Sequence, residues 1–185
     1  MFDLESETKI ENMVSAITLD QRIDLKHFAS TISEVEYNPE SFPGVVFRIK
    51  KPKLAMLIFS SGKIICTGAR TYDDIHEAVR QLIKKFEEAG IKIRGEPKIE
   101  VQNIVASSSL GFKVNLDILA TKCWNTEYEP EQFPGLVFRL DEPKTVMLIF
   151  RSGKMIITGA KNRKDILRAA ENTRKQVLSY NAIIK

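Results

Sequence analysis

The chain has few of the side chains that metal centres, disulfide frameworks and nucleophilic triads require. Its 185 residues include two cysteines, Cys66 and Cys123, and two histidines, His27 and His76, and neither pair has the spacing of a metal site. A zinc centre or a histidine-based triad is therefore disfavoured, and we expect no metal, no cofactor and no catalytic residue. Cys66 lies in the apolar run KIICTG and is expected to be a reduced core residue.

Long apolar runs are also missing. No uncharged apolar segment is long enough to span a bilayer, and the N-terminal MFDLESETKIEN is acidic where a secretion signal would be basic and then apolar. We therefore expect a soluble protein of the cytoplasm, associated with the nucleoid if it binds DNA, or of the nucleus if the source is a eukaryote. The net charge of +4 is compatible with a nucleic-acid partner, but no long basic tail exists to supply most of the affinity.

What the sequence does contain is an internal duplication. Residues 36–69, EYNPESFPGVVFRIKKPKLAMLIFSSGKIICTGA, match residues 127–160, EYEPEQFPGLVFRLDEPKTVMLIFRSGKMIITGA, at about two-thirds of their positions. The offset is 91 residues throughout, as from Phe42 to Phe133. A period of this length is too long for a solenoid, and it predicts two half-domains related by a pseudo-twofold axis.

We predict that residues 1–92 form the first repeat and residues 93–185 the second. Each repeat is predicted to contain a strand, a short helix, an antiparallel meander of three strands and a long amphipathic helix. The predicted elements are Asn12–Leu19, Asp24–Ile32, Val45–Ile49, Leu54–Phe59, Lys63–Thr67 and Tyr72–Ala89, and then Gln102–Leu110, Asn115–Lys122, three runs from Leu136, Thr145 and Lys154, and Lys164–Leu178.

The meander strands are apolar on both faces. Side chains alternate along a strand, so Leu57 and Phe59 share one face and Met56 and Ile58 share the other. Two helices per repeat can cover one face only, and the second face must then be buried by a partner or by self-association. The alternative is a three-layer arrangement in which the chain covers both faces.

Basic side chains recur at equivalent positions around this apolar surface. Arg48 and Arg139 lie inside strands, and Lys63 and Lys154 follow the two Ser-Gly turns. An apolar centre with a basic rim suits a nucleic acid whose groove contacts the centre and whose phosphates contact the rim. The alternative for these residues is an ordinary solvated edge.

The doubled motif series, QNIV or ENMV, EY-x-P-E-x-F-P-G, LIF-x-SGK and TGA, resembles the core of the TATA-box-binding proteins, and the resemblance runs from about Asn12 to the C-terminal helix. It implies an α+β fold: a pseudo-twofold saddle of two repeated half-domains, with a curved antiparallel sheet and helices on the convex face. It implies a general transcription initiation factor, and no enzyme, that binds the minor groove of A/T-rich TATA-box DNA and kinks it. The near absence of a segment before the core resembles the archaeal, core-only type.

The resemblance also implies residue roles. The intercalating wedges are expected to be Phe42, Phe59, Phe133 and Phe150. The groove-floor residues are expected to be Asn12, Asn103, Thr67, Thr158, Val14, Val105, Leu57, Leu148, Ile65 and Ile156. The phosphate contacts are expected to be Arg48, Arg139, Lys63, Lys154, Ser61 and Ser152. The alternative for the four wedge phenylalanines is a core role, which is the commoner fate of phenylalanine. That role is expected for Phe47 and Phe138, because they have the opposite strand parity to Arg48 and Arg139.

The two copies differ in the charge of one loop. Lys50 and Lys51 of the first copy correspond to Asp141 and Glu142 of the second. Phosphates would repel an acidic loop, so a protein is the better partner for it. The resemblance implies that this partner is the B-type transcription initiation factor, which connects the protein to RNA polymerase. The contact residues are expected to be Glu129, Glu131, Asp141 and Glu142. The alternative is drift of surface charges between duplicated halves.

Two other classes of protein remain as alternatives. A protein-, lipid- or other ligand-binding module would explain the apolar face but not the paired Asn, Thr and basic positions. An enzyme is disfavoured, since SGK lacks the upstream glycine of a P-loop and no carboxylate–histidine constellation is present. Without DNA, we expect the apolar face to support a homodimer at high concentration.

Overall fold

The computed structural model describes all residues from Met1 to Lys185. In chain order the elements are α1 (Leu4–Glu7), β1 (Lys9–Thr18), α2 (Leu25–Thr31), β2 (Val35–Tyr37), β3 (Val45–Lys50), β4 (Lys53–Ile58), β5 (Lys63–Ala69), α3 (Tyr72–Glu88), β6 (Lys98–Ser109), β7 (Lys113–Val114), α4 (Leu116–Lys122), β8 (Thr126–Glu127), β9 (Leu136–Asp141), β10 (Lys144–Ile149), β11 (Lys154–Ala160), α5 (Arg163–Ser179) and β12 (Ile183–Ile184).

The chain divides into two compact units. The first unit is Asn12–Gln102, and the second unit is Asn103–Lys185 together with Met1–Glu11. The predicted repeat boundary, between residues 92 and 93, falls in the segment between α3 and β6 that has no helix or strand, and it stays a prediction.

Each unit contains an antiparallel sheet with the same strand order. In the first unit the order is β2-β3-β4-β5-β1, and in the second it is β8-β9-β10-β11-β6. Strands β7 and β12 form a separate small pair in the second unit. The predicted meanders are therefore confirmed, whereas the short elements α1, β2, β7, β8 and β12 were not predicted.

Polar side chains begin helices α2 and α4. The Asp24 carboxylate accepts a hydrogen bond from the His27 backbone N–H at 3.0 Å, and the Asn115 side-chain oxygen accepts one from the Ile118 N–H at 3.1 Å. These caps satisfy amide donors that have no partner inside the helix. The helix predicted from Asp24 starts one residue later, at Leu25, and Asp24 is its N-cap.

The long helices pack on one face of each sheet and build the cores. Helix α3 packs on β5 and α5 on β11. Phe28 of α2 and Phe86 of α3 are fully buried, with ring centroids 4.7 Å apart. Phe47 and Phe138 are 4% and 0% exposed, which confirms the predicted core role of both. No helix combines the length and the apolar character needed to cross a membrane.

Candidate nucleic-acid interface

The two faces of each sheet differ in exposure. On β4, Met56 and Ile58 are fully buried, whereas Ala55 and Leu57, which alternate with them along the strand, are only half-buried. On β11, Met155 is 1% exposed and its neighbour Ile156 is 37% exposed. Each sheet thus has a buried face beneath the helices and a second face, here called the open face, that the chain does not fully cover. The three-layer alternative does not hold for these strands.

Strand register determines which side chains are neighbours on the open face of the first unit. Leu57 lies directly opposite Val46 on one side and Ile65 on the other, which forms an apolar row. Ala55 lies between Arg48 and Thr67 in the same way, which forms a second row with a basic end. Directly opposite residues of antiparallel strands project from the same face.

The second unit repeats both rows. Leu148 lies between Val137 and Ile156, and Val146 lies between Arg139 and Thr158. Val14 and Val105, on β1 and β6, are half-buried like the other open-face residues. The predicted groove-floor residues of each half are therefore brought to one face within their own unit.

A fixed amide stands at the polar end of each open face. In the first unit, Asn12 Oδ1 accepts a hydrogen bond from the Gly68 backbone N–H at 2.7 Å, and Asn12 Nδ2 donates to Thr67 Oγ1 at 3.3 Å. A backbone N–H can only donate, so the amide oxygen is fixed on that side. The second N–H of the Asn12 amide is then left to donate to another acceptor.

The same clamp occurs in the second unit. Asn103 Oδ1 accepts from the Gly159 N–H at 2.7 Å, and Asn103 Nδ2 donates to Thr158 Oγ1 at 3.1 Å. Gly68 and Gly159 have φ of 103° and 104°, a conformation that costs little only for glycine. The TGA motif therefore presents the amide that orients the asparagine.

The four predicted wedge residues form two aromatic pairs. The ring centroids of Phe42 and Phe59 are 5.8 Å apart with an interplanar angle of 62°, and those of Phe133 and Phe150 are 5.9 Å apart at 67°. These are edge-to-face contacts, which aromatic rings favour. Phe133 remains 43% exposed, so the pairs lie at the surface and not in the core.

A glycine makes room for each aromatic pair. A Cβ atom at Gly44 would lie 2.8 Å from the Phe42 ring and 3.1 Å from the Phe59 ring. At Gly135 the corresponding distance to the Phe133 ring would be 2.6 Å. The F-P-G motif of both repeats is explained by this close approach of the rings to the backbone.

The predicted phosphate-binding arginines already have partners. Arg48 Nη1 lies 3.1 Å from a Glu36 carboxylate oxygen, and Arg139 Nη2 lies 3.5 Å from Glu127. All four side chains are more than half exposed, so these ion pairs are weak and exchangeable. Neither glutamate was predicted to be a site residue, although each begins an E-Y motif.

The lysines after the Ser-Gly turns form no salt bridge. Lys63 and Lys154 are exposed, and no carboxylate lies within 4.0 Å of either amine. The hydroxyls of Ser61 and Ser152 accept the backbone N–H of these lysines at 3.4 and 3.3 Å. Each hydroxyl proton is thus left to donate to an anion such as a phosphate.

The acidic loop of the second unit lines a cleft of about 410 Å³ with an exposed tryptophan. Asp141, Glu142 and Trp124 all contribute to it, and Trp124, the single tryptophan of the chain, is 87% exposed. Glu142 also pairs with Arg168 at 3.2 Å. Trp124, whose counterpart in the first repeat is Ser33, was not predicted to be a site residue.

The other two predicted factor-contact residues lie elsewhere in the same unit. Glu129 and Glu131 are exposed and belong to the turn before Phe133, where the Glu129 carbonyl accepts the Phe133 N–H at 3.0 Å. Neither lines the Trp124 cleft. The structure therefore brings Asp141 and Glu142 together with Trp124, and leaves Glu129 and Glu131 beside a wedge residue.

No group of three or more histidine, cysteine, aspartate or glutamate side chains is placed to hold a metal ion. Burial raises the pKa of the Cys66 thiol to about 11, so the thiol stays protonated and unreactive at neutral pH. Cys66 and Cys123 are both free and buried, which confirms the expected core role of Cys66.

Comparisons with known proteins agree on one family. The family model described as transcription factor TFIID, or TATA-binding protein, matches residues 7–89 and again residues 98–180. The TATA-box-binding protein of Sulfolobus acidocaldarius is 46% identical over 94% of this chain and 88% of its own length. The TATA-box-binding protein of Methanocaldococcus jannaschii is 49% identical over 90% of this chain and 91% of its own length.

A solved structure matches as well. The chain described as Methanococcus jannaschii TBP superimposes with a TM-score of 0.87 at 46% identity, covering 94% of this chain and 99% of that one. The predicted fold class, the α+β fold of that family with its two repeats, is therefore confirmed.

Proposed function

This chain belongs to the TATA-box-binding protein family, and we propose that it is a general transcription initiation factor that binds the minor groove of TATA-box promoter DNA through the open face of each unit. The observation that carries the proposal is the open face itself. Apolar rows, one oriented amide donor and a hydroxyl lie on it together, and the chain does not cover it. The family described by the matching model is one of transcription factors and not of enzymes.

The donors on the open face fit the floor of an A/T-rich minor groove. That floor presents only the N3 acceptor of adenine and the O2 acceptor of thymine, whereas guanine adds an N2 amino donor. The free N–H of Asn12 and that of Asn103 complement the acceptors. The side chains of Leu57, Ile65 and their counterparts are apolar and cannot accept a hydrogen bond from a guanine amino group, so G·C pairs are disfavoured.

The aromatic pairs fit the role of wedges. Apolar side chains that enter a base step partly unstack it and kink the duplex. Phe133 and Phe150 form a rigid edge-to-face unit at the surface, and Phe42 and Phe59 form its counterpart. Bending costs on the order of 1–6 kcal/mol, which burial of the apolar rows and release of counterions offset.

The basic rim fits phosphates. Lys63 and Lys154 form no salt bridge, and the hydroxyls of Ser61 and Ser152 have a proton to donate. Arg48 and Arg139 would exchange their exposed glutamate partners for phosphate oxygens. Each such contact makes the fall of log affinity with log salt concentration steeper by about 0.9. Replacing Lys63 by alanine is therefore expected to weaken binding and to make this fall less steep.

The Trp124 cleft fits a protein partner. We assign it to the B-type transcription initiation factor, which would in turn recruit RNA polymerase. Asp141 and Glu142 supply negative charge, and Trp124 supplies the large exposed aromatic surface typical of interface hot spots. Glu129 and Glu131 would extend the contact towards the turn before Phe133.

Charge reversal tests this assignment. Asp141→Lys/Glu142→Lys is expected to weaken recruitment of the factor to a preformed DNA complex. DNA affinity should fall by no more than about twofold and is allowed to rise, since added positive charge does not repel phosphate. The matched control is Lys50→Glu/Lys51→Glu in the equivalent loop of the first unit. Quenching of Trp124, the single tryptophan, reports the contact directly. Unchanged recruitment in the acidic-loop variant would remove these residues from the proposal.

Binding and bending test the function as a whole. Duplexes carrying a TATA-like or a G·C core, labelled with fluorophores at both ends, are titrated with the protein. We expect tight binding and a shortened end-to-end distance on the TATA duplex only. Phe133→Ala/Phe150→Ala is expected to lose at least about 2 kcal/mol of binding, or about 30-fold, together with the bend.

The control for this experiment is Tyr72→Ala, which removes another exposed aromatic ring, 45% exposed, from helix α3 and away from the open face. It should bind and bend DNA normally. Equal binding to both duplexes without bending would refute minor-groove recognition and leave a protein- or ligand-binding module as the function. Without DNA, sedimentation at rising concentration tests whether the open faces support a homodimer, as an apolar surface of this kind allows.

A further inference from the structure

The first residues of the chain are held in place by other residues of the second unit. The guanidinium of Arg174 lies 4.8 Å from the centroid of the Phe2 ring, and that ring is so close to Gly111 that a Cβ there would lie 2.5 Å from it. The buried hydroxyls of Thr8 and Ser108 are 2.8 Å apart. These contacts determine where the acidic side chains of the segment lie.

Two of those acidic side chains reach the open face of the second unit. Glu11 Oε1 accepts a hydrogen bond from Ser107 Oγ at 3.0 Å, and Ser107 lies directly opposite Ile156, a groove-floor residue. Glu7 lines a depression of about 510 Å³ together with Phe150 and Lys154, among other residues. Negative charge is therefore present beside a wedge and a phosphate-binding lysine.

At the positions that correspond to Glu7 and Glu11 the first unit has no negative charge, although Glu100 corresponds to Lys9 between them. With the offset of 91 residues, Glu7 corresponds to Lys98 and Glu11 to Gln102. The formal charge of the pair is −2 in the second unit and +1 in the first. Ser107 corresponds to Ala16, so the hydroxyl that holds Glu11 has no counterpart either.

We propose that Glu7 and Glu11 determine the direction in which the protein binds an asymmetric TATA box, an inference that rests on the proposed function. A stiff A-tract has a narrow minor groove with an enhanced negative potential, whereas TA steps are flexible and deform easily. The two carboxylates repel the second unit from the A-tract half of the site. Lys98 favours that half for the first unit, and the second unit therefore binds the half that contains the TA steps.

Energy transfer measures the direction of binding. A fluorophore on a Lys164→Cys variant, an exposed position on helix α5, is paired with an acceptor at either end of a duplex that has TA steps in one half and an A-tract in the other. The native cysteines are buried and are not labelled. The wild-type protein is expected to transfer energy mainly to the end nearest the TA steps.

Neutral and exchanged variants isolate the carboxylates. Glu7→Gln/Glu11→Gln is expected to move the ratio of the two orientations towards one and to tighten binding by about twofold to fivefold for each carboxylate at low salt. Exchange of the charges, Glu7→Lys/Glu11→Gln with Lys98→Glu/Gln102→Glu, is expected to reverse the preference. Glu5→Gln, in the same segment but 3.9 Å from Arg163 of α5, is the matched control and should change neither quantity.

The outcomes separate this inference from the proposed function. A wild-type protein that does not bind the TATA duplex refutes both. A protein that binds and bends the duplex, but whose orientation ratio is one or is unchanged in the neutral and exchanged variants, overturns the role of Glu7 and Glu11 only. Circular dichroism of each variant confirms that it is folded before the ratio is measured.

Discussion

Two neighbouring residues of β11 should have opposite phenotypes when each is replaced by alanine. Met155 is 1% exposed and packs beneath helix α5, whereas Ile156 is 37% exposed on the open face. Met155→Ala removes a buried side chain and leaves a cavity, so we expect the free energy of unfolding to fall by about 2–5 kcal/mol. DNA affinity of the folded protein should change little, because Met155 does not reach the open face.

For Ile156→Ala the lost free energy of side-chain burial is divided between folding and DNA binding. The substitution removes three carbon atoms, which are worth about 0.8 kcal/mol each when fully buried, or about 2.4 kcal/mol together. Because 37% of the side chain is still exposed in the free protein, about 0.9 kcal/mol of this remains to be gained on binding DNA. We therefore expect affinity to fall by about fivefold and stability by about 1.5 kcal/mol.

Urea unfolding followed by circular dichroism gives the stability of each variant, and titration of a fluorescent TATA duplex gives its affinity. The titration is performed where the unfolding curve shows that the protein is fully folded. If Ile156→Ala bound DNA as tightly as the wild type while folded Met155→Ala bound it more weakly, the assignment of the open face would be wrong.

Three further substitutions or modifications test single parts of the site. Gly135→Ala introduces a Cβ 2.6 Å from the Phe133 ring, so it should displace that ring and reduce DNA bending measured by end-to-end energy transfer; an unaltered bend would contradict the wedge role. Thr158→Val removes the hydroxyl that accepts from Asn103 and should cost about 0.5–1.5 kcal/mol of affinity for TATA DNA, or about twofold to tenfold; equal affinity would show that the hydroxyl is not needed. Burial raises the pKa of the Cys66 thiol from 9.0 to about 11. The stability that the protonated thiol provides is therefore present below pH 9 and is lost as the pH rises towards 11. A disulfide reagent should modify Cys66 only after unfolding, and rapid reaction of the native protein would refute its burial.

The division of the meander strands into two faces could be predicted from the sequence because side chains alternate strictly along a strand. Leu57 and Phe59 on one face and Met56 and Ile58 on the other were predicted from spacing alone, and the burial of Met56 and Ile58 agrees. Alternation alone does not say which face the helices cover. The register of β3 on β4 decides this, because it places the charged Arg48 opposite Ala55 and therefore on the uncovered face that Leu57 shares.

The carboxylates beside the site could not be predicted in the same way. Glu11 reaches Ser107, and Thr8 reaches Ser108, across about one hundred residues of sequence. Periodicity and capping motifs report contacts within a few residues only. The contact of Arg48 with Glu36 across neighbouring strands depends in the same way on a register that the sequence does not specify.

The two repeats share the glycines that their backbone geometry requires, and they differ in residues at exposed positions. The glycines of the F-P-G and TGA motifs occur in both copies, because a side chain at either position would displace a ring or strain the backbone. Trp124 in place of Ser33, and Glu7 in place of Lys98, are changes at solvent-exposed positions, where substitution costs little folding free energy. Exposed positions could therefore change sign after the duplication while both halves kept the same fold. A pseudo-symmetric protein can in this way bind an asymmetric DNA site in one direction and present a protein-binding cleft on one unit only.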